Sequence, residues 1–152
     1  MFDVREYSPS DVVLTFGGAR VEGWNKIVVR QQHPTFVIVH GIRGKNTRKR
    51  INNTAAEIEL SLDQTSPTNR ILSEIVKLDA RYGTGRIELT LKDTLTGESF
   101  SSTDAFIEGY ADKEFDSDLS DRVWKIHCLT SYSTMGSGGA LGSLVDKVSS
   151  FF

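Results

Sequence analysis

Hydrophobic and polar positions alternate strictly between residues 56 and 62. On one side of this segment the side chains are Ala56, Ile58, Leu60 and Leu62, and on the other they are Glu57, Glu59 and Ser61. A period of two residues places successive side chains on opposite faces of a β-strand. The pattern therefore predicts a strand with one buried face and one acidic, solvated face, and it is the clearest strand pattern in the sequence.

Seven further segments have the composition of β-strands. They are residues 12–16, 19–23, 25–32, 35–40, 85–93, 98–110 and 122–132. Gly17 and Gly18 separate the first two segments and readily adopt the positive φ angles of a tight hairpin turn. Because these strands do not alternate regularly with helices, we expect antiparallel pairing and not a parallel, doubly wound sheet.

Residues 67–81 change to a helical period. Ser66 is a favourable N-cap and Pro67 suits the first helical position, while Gly83 follows the last turn. The apolar stripe expected to face the core is Ile71, Leu72, Ile75, Leu78 and Tyr82. The sequence thus predicts a mainly β fold, a barrel or sandwich of about eight antiparallel strands with one flanking α-helix.

The C-terminal part of the sequence differs from the rest. Residues 133–140 are rich in Gly and Ser and predict a flexible hinge. Beyond it, helical spacing relates Leu141, Leu144, Val145, Val148, Phe151 and Phe152. We expect a β-domain over residues 1–132 and, over residues 133–152, a hinge with an amphipathic tail that is either a docking helix or a loosely ordered segment.

Length and composition indicate one ordinary globular domain. The chain has 152 residues, of which 25% are charged, and no apolar run reaches the ~20 residues of a membrane helix. The N-terminal residues lack the apolar core of a signal peptide, so we expect synthesis in a cytoplasm without membrane anchoring. Residues 1–62 carry nine basic and six acidic side chains, whereas residues 63–152 carry nine and fourteen, a polarity that suits contact between copies of the chain.

Residues 41–53, GIRGKNTRKRINN, contain five basic side chains and no acidic one. The basic residues are Arg43, Lys45, Arg48, Lys49 and Arg50. The spacing of the glycines and the absence of Ser or Thr after the lysine exclude a phosphate-binding P-loop. A nucleic-acid arm is disfavoured because no aromatic residue lies among the charges and the sequence pI is about 5.9. We therefore expect a loop that contacts another protein.

No combination of residues predicts an active site, a metal site or a cofactor. His33, His40 and His127 lack the spacing of a metal pair, and we expect the single cysteine, Cys128, to be buried and inert. Neighbouring strand residues point to opposite faces, so His127 cannot activate Cys128. The acidic stretch of residues 111–121 lacks the glycine and the final glutamate of an EF-hand, which favours a solvated loop.

Several segments taken in order resemble the tail tube proteins of contractile-tailed bacteriophages. The segments are DVVLTFGGARVEGW, GIRGKNTRKRINNTAAEIELSLDQTSPTNRIL, FSSTDAFIEGYADKEFDSD and RVWKIHC, within residues 10–132. The most specific of them is LSLDQTSPTNRIL, in which an amphipathic strand leads directly into a Ser-Pro-x-Asn helix start. The same fold is shared by the tube proteins of type VI secretion and of contractile bacteriocins.

The resemblance implies a non-enzymatic structural subunit. Hexameric rings would stack into a hollow tube that contacts the sheath, the baseplate hub and the tail terminator, and DNA would pass through the lumen without specific binding. The location would be the virion tail, after assembly in the host cytoplasm. Alternatives are a tube subunit of a bacteriocin or of type VI secretion and, in a different class, a small barrel that binds single-stranded nucleic acid.

The resemblance also implies particular contact residues. The basic loop of residues 41–53 matches the family's long hairpin loop, which contacts a neighbouring subunit or ring. Its expected partner is an acidic surface on the next copy, formed by Asp112, Glu114, Asp116, Asp118 and Asp121. Glu57 and Glu59 are candidates for the lumen wall, since acidic walls repel a phosphate backbone. The tail of residues 141–152 would dock on a neighbour, on the sheath or on a terminator.

Overall fold

The computed structural model describes residues 7–135. Within this part of the chain a short 3-10 turn, Pro9–Asp11, precedes ten strands and one α-helix. The strands are β1 (Val12–Phe16), β2 (Ala19–Arg20), β3 (Trp24–Gln31), β4 (Phe36–His40), β5 (Asn46–Arg50), β6 (Ala56–Leu62), β7 (Ile87–Asp93), β8 (Ser99–Ile107), β9 (Arg122–Cys128) and β10 (Tyr132–Thr134), and the helix is α1 (Thr68–Tyr82).

Eight strands form one antiparallel sheet. Seven of them follow the order β2-β1-β7-β8-β9-β6-β3, and β10 pairs with the N-terminal end of β8. The remaining two strands, β4 and β5, pair only with each other as a separate ladder. The predicted mainly β, antiparallel fold with one flanking helix is confirmed.

The core lies on the inner face of the sheet. Strand β6, which lies between β9 and the edge strand β3, contributes alternate residues to it. Register places Ile58 beside Val29 of β3 and Ile126 of β9. The alternate residues Ala56, Ile58, Leu60 and Leu62 are all buried, as their period predicted. Leu14 of β1, near the opposite end of the sheet, belongs to the same buried cluster, so the sheet curves around a single core.

The helix begins where the sequence predicted. The Ser66 hydroxyl accepts a hydrogen bond from the Thr68 amide at 3.2 Å and donates one to the Glu22 carbonyl at 2.5 Å. The indole of Trp124 donates to the side chain of Asn69 at 3.0 Å. These bonds fix the first turn of α1 to the β2–β3 connection and to β9. Gly83 ends the helix in the left-handed conformation, at a φ of 68°.

The predicted apolar stripe of α1 was partly wrong. Leu72 is buried at 1% exposure, and Ile75 packs against the core with Val76, which the prediction omitted. Ile71, Leu78 and Tyr82 are instead exposed. The reason is that the helix has apolar residues over more than half of its circumference, so the period alone does not say which part faces the sheet.

The strand boundaries also differ from prediction. Residues 46–50 were expected in a loop but form β5, while the expected strand at 19–23 shortens to the two residues of β2. The expected strand at 122–132 divides into β9 and β10, and β10 crosses the expected domain boundary after residue 132. The predicted C-terminal helix lies outside the described residues. No helix within residues 7–135 is long and apolar enough to cross a membrane.

The orientation of α1 gives a matched pair of substitutions. Leu72→Ala removes a fully packed side chain and should lower the free energy of unfolding by about 2–5 kcal/mol. Ile71→Ala, at 43% exposure, should lower it by at most about 1 kcal/mol. Urea unfolding followed by circular dichroism measures both values. Equal losses would show that the helix faces the sheet with a different side.

Candidate assembly surfaces

The basic stretch belongs to a β-hairpin that extends from one end of the sheet. The β3–β6 ladder ends at the pair Gln31 and Ala56, and one more bond, from the Gln32 amide to the Ala55 carbonyl, prolongs it. The chain then continues into β4 and β5, so the hairpin extends the β3–β6 pair beyond the core. At about 3.4 Å per residue, its two five-residue strands extend roughly 15 Å.

A three-residue turn closes the hairpin. The Gly41 amide donates to the Lys45 carbonyl at 2.7 Å, and the Gly44 amide donates to the Gly41 carbonyl at 3.1 Å. Gly44 has a φ of 80°, as expected where a type I turn is followed by a left-handed residue. Ile42 lies at the tip and is fully exposed.

The two faces of the hairpin differ in composition and in the number of their basic side chains. Residues paired directly across the strands share a face, which places Phe36, Ile38 and His40 with Arg50, Arg48 and Asn46 on one side. The opposite side carries Val37 and Val39 with Lys49 and Thr47. The guanidinium of Arg48 lies 4.3 Å from the centre of the Phe36 ring, a cation–π contact.

The five basic residues are therefore distributed differently from the expectation of one loop. Arg43 lies in the turn and Lys45 directly follows it. Arg48 and Arg50 lie on one face of β5, and Lys49 lies on the other. All five are exposed. Within residues 7–135 none of them forms a salt bridge with the acidic side chains of residues 112–121.

The hairpin also exposes apolar side chains that the sequence prediction did not include as contact residues. Phe36, Ile38, Val39 and Ile42 are all exposed on it. A two-stranded hairpin without further packing is at best marginally stable in water. Exposed apolar residues on an element that packs so little on its own core make this hairpin a candidate contact surface.

The acidic segment connects β8 to β9 in irregular conformation. The predicted residues Asp112, Glu114, Asp116, Asp118 and Asp121 are all exposed. Arg122 organises the segment: it is buried, donates to the Glu114 carbonyl at 3.1 Å, and lies 5.3 Å from the ring of Phe115. Asp121 accepts a hydrogen bond from Asn25 at 2.9 Å. No local sequence signal identified Arg122, because its partners are backbone carbonyls.

The basic hairpin and the acidic segment lie at opposite ends of β6. The hairpin leaves the sheet beside Ala56, the first residue of that strand. The acidic segment leads into Arg122, which pairs with Leu62, the last residue. Seven residues at about 3.4 Å separate the two ends by roughly 20 Å. The two charged surfaces therefore lie at opposite ends of the strand.

Glu57 and Glu59 lie on the outer face of β6, as their alternation predicted. Their cross-strand neighbours are Arg30 and Val28 of β3 and His127 and Lys125 of β9. Glu59 accepts a hydrogen bond from Arg30 in an ion pair of 2.7 Å. The outward residues of β6 are acidic, but basic side chains of both neighbouring strands lie among them, so the face as a whole has mixed charge.

The ion pair shifts both titrations. The hydrogen bond from Arg30 lowers the pKa of the Glu59 carboxyl below its ordinary value, and the charges of Arg30, Lys125 and Lys26 lower it further. The same hydrogen bond raises the pKa of Arg30. Because the pair is exposed to solvent, its effect on stability is small and decreases with salt.

The remaining chemistry-bearing residues are structural. Cys128 is fully buried on the inner face, which confirms the predicted burial, and burial raises the pKa of its thiol. His127 lies on the outer face, stacked on Phe106 at 5.5 Å, so the two neighbours do point to opposite sides. Within residues 7–135 no cluster of three or more His, Cys, Asp or Glu side chains could hold a metal ion.

The Arg30–Glu59 pair makes the Glu59 titration a test of this face. Its depressed pKa favours the folded state above the pKa of an unfolded glutamate, and this contribution is lost as the pH falls through the lower, folded-state pKa. In Arg30→Gln, the pKa of Glu59 should rise towards the ordinary value. Carboxyl NMR titration measures the shift, and Arg86→Gln, at a distant exposed arginine, is the control. An unchanged Glu59 pKa in Arg30→Gln would contradict the pairing.

Comparison with known proteins gives structural and not sequence similarity. No protein-family model matches the chain, and no curated protein is significantly similar to it in sequence. Solved structures do match. A chain of the anti-feeding prophage cap, which terminates the tube of that particle, is 13% identical, with a TM-score of 0.66 over 90% of this chain and 96% of the other.

Two further matches come from the PVC extracellular contractile injection system in its extended state. A chain of its sheath/tube terminator is 9% identical, with a TM-score of 0.61 over 88% of this chain and all of the other. A chain of its sheath–tube complex is 10% identical, with a TM-score of 0.56 over 85% and 91%. At these identities the similarity concerns the fold alone. The chain has the tube-like fold that occurs in the tube and terminator assemblies of contractile injection systems.

Proposed function

We propose that the chain is a structural subunit of a contractile tail and, specifically, a tail tube protein that assembles as hexameric rings stacked into a hollow conduit. The observation that carries the proposal is the position of two unpartnered, oppositely charged surfaces at the two ends of β6. Such a subunit presents one sign of charge to each neighbour along a stack. The fold that it shares with proteins of tube and terminator assemblies supports this reading.

The contact between stacked subunits would join the hairpin of one copy to the acidic segment of the next. Arg48 and Arg50 supply charge on the face that also exposes Phe36 and Ile38. On the acidic side, Phe115 and Leu119 are exposed among the carboxylates. Apolar contacts would therefore contribute the affinity, while the ion pairs at the rim fix the register and accelerate association.

This contact is heterologous, because it uses two different surfaces of the same subunit. A heterologous contact generates a ring if its rotation closes and an extended array if it does not. Since the two surfaces lie at opposite ends of β6, their contact would extend the assembly along one axis. Contacts within a ring would have to use other surfaces of the subunit.

Glu57 and Glu59 remain our candidates for the lumen wall. The mixed charge of their surroundings changes the electrostatic argument, because Lys26, Arg30 and Lys125 lie on the same face as the two carboxylates. Charges that are paired within the wall leave little net field to hold a polyanion, so DNA would pass without binding. The sheath, the baseplate hub and the tail terminator would be the other partners, and the virion tail would be the location.

A terminating cap is the second candidate function. It is favoured because the two matched structures with the higher TM-scores are those of a tube-terminating cap and of a sheath/tube terminator. A cap subunit would form one ring that binds the end of a tube, whereas a tube subunit would also stack on copies of itself. A role in a bacteriocin or a type VI secretion apparatus would use the same contacts.

Negative-stain electron microscopy of the purified chain over a range of protein and salt concentrations tests the proposal. The tube function predicts hollow tubes or stacked rings, favoured at low salt because charge pairs contribute to the contact. Single rings that never stack would favour the cap. Strict monomers under all conditions, including in the presence of preformed tubes, would contradict both.

Charge reversal tests the surfaces assigned to stacking. Arg48→Glu with Arg50→Glu should weaken stacking and raise the protein concentration needed for assembly at least about tenfold, since like charges would face each other at the contact. Adding Asp116→Lys and Asp118→Lys to the same chain should restore it. Sedimentation measures the assembled fraction.

The matched control for charge reversal is Arg81→Glu with Arg86→Glu, two exposed arginines away from both surfaces. These substitutions change the net charge by the same amount and should leave stacking unaltered. If the hairpin variant assembles with the same yield and salt sensitivity as the unmodified chain, the assigned contact is wrong even if tubes form.

A further inference from the structure

A groove with a mainly apolar surface, lined also by Asp93 and Glu98, lies between β3 and the strands β1 and β7. Its volume is about 540 Å³. One wall contains Val12 of β1 and Leu91 of β7, and the other contains Trp24, Ile27 and Val29 of β3. A cavity of this size accommodates several side chains, since pockets of roughly 300–1,000 Å³ hold whole organic ligands.

The walls of the groove are continuous with the core yet remain accessible. Trp24, Ile27 and Leu91 are only partly buried although they pack against the core cluster, and Val29 is 39% exposed. In a curved sheet of this kind the inner face is normally covered along its whole length. Among residues 7–135, no element fills the groove, which is a partly exposed section of the inner face.

The groove also has an unpaired strand edge. Within residues 7–135, β3 pairs with β6 on one side and with no strand on the other, since it ends the order of the sheet. An edge of eight residues with apolar side chains beside it tends to pair with further chain unless something covers it. The groove therefore presents both an apolar surface and free backbone hydrogen-bonding groups.

The described part of the chain ends at this groove. Ser133, Thr134 and Met135, the last three described residues, all line it, and Met135 is 83% exposed. Seventeen residues follow in the sequence, and a chain of that length can extend up to about 55 Å. Every part of the groove is within that reach.

The composition of the following residues fits the groove. Residues 136–140, GSGGA, are the composition of a flexible linker, and six large apolar residues follow among residues 141–152. A segment tethered by so short a linker has an effective concentration in the millimolar range at its site, which favours it over a second copy of the chain. Tyr7 also lines the groove, but the six residues that precede it in the sequence are three apolar and three charged ones.

We propose that the groove between β1 and β3 is the docking site of the chain's own residues 141–152. Docking would cover the walls of the groove and the free edge of β3, and would keep both from pairing with other molecules. The proposal does not depend on the assembly function, since it concerns a contact within one chain. It also differs from the expectation that the tail docks on a neighbour, on the sheath or on a terminator.

Trp24 provides the measurement. It lines the groove, whereas Trp124, the other tryptophan, is buried under α1 and gives a constant background. Removing residues 141–152 should raise the acrylamide quenching constant of Trp24 at least about twofold, because an indole covered by side chains is shielded from solvent. A peptide of residues 141–152, added to the shortened chain, should restore the shielding.

Substitutions in the full chain test the same contact without deletion. Val145→Asp with Phe151→Asp should raise quenching as much as the deletion, since charged side chains are disfavoured in an apolar groove. The matched control is Ser149→Asp with Ser150→Asp, which adds the same charges at polar positions of the same segment and should leave quenching low. Near-ultraviolet circular dichroism of Trp124 verifies that each variant is folded.

Three results would overturn the proposal. Equal quenching in the full and shortened chains would show that residues 141–152 do not cover the groove. Shielding that depends on protein concentration would assign the groove to a second copy, and shielding lost only on deletion of residues 2–6 would assign it to the N-terminal segment. None of these results bears on stacking, so the assembly function and this contact can fail separately.

Discussion

The burial of the inner face of β6 is the constraint on which the rest of the structure depends. Ile58, Leu60 and Leu62 are completely removed from solvent between two neighbouring strands. A shift of one residue in either pairing would exchange this face with Glu57 and Glu59, so the register of β3, β6 and β9 is strongly fixed. That register in turn determines which end of the sheet carries the hairpin and which carries the acidic segment.

The two charged surfaces are held by different physical means. Backbone pairing between β4 and β5 holds the hairpin, with little packing behind it, so it belongs to the part of the molecule that opens most easily. A buried arginine, through carbonyl contacts and an aromatic face, holds the acidic segment. In the proposed stacking contact, the acidic surface would therefore be the more preorganised side and the hairpin would adapt to it.

The sequence predicted those parts of the fold whose signal is local. The period of residues 56–62 identified β6 and both of its faces, and Ser66 with Pro67 located the start of the helix. β5 was missed because NTRKR has no buried face: its strand conformation comes from pairing with β4, which no period records. The helix phase was partly missed because Ile71 and Leu72 are equally apolar, and only the position of the sheet distinguishes them.

The residues proposed for the stacking contact were predicted by charge alone, and this had a physical limit. Charge identified Arg48 and Arg50 as candidates. It did not identify Phe36 or Ile38, which share their face, because an apolar residue in a strand pattern is assigned to the core. Arg122 and Trp24 were missed for the related reason that their importance arises from distant segments. The burial of Arg122 and the partial exposure of Trp24 depend on the folded sheet and have no local sequence pattern.

The separation of the two charged surfaces along β6 also gives the chain a direction. If copies join through unlike surfaces, every array has one terminus with free basic hairpins and another with free acidic segments, whatever its length. The two termini then differ chemically, so a factor that starts growth and one that stops it need opposite charges. A molecule that recognises one terminus by charge would not recognise the other, and polarity would be inherited from the single subunit.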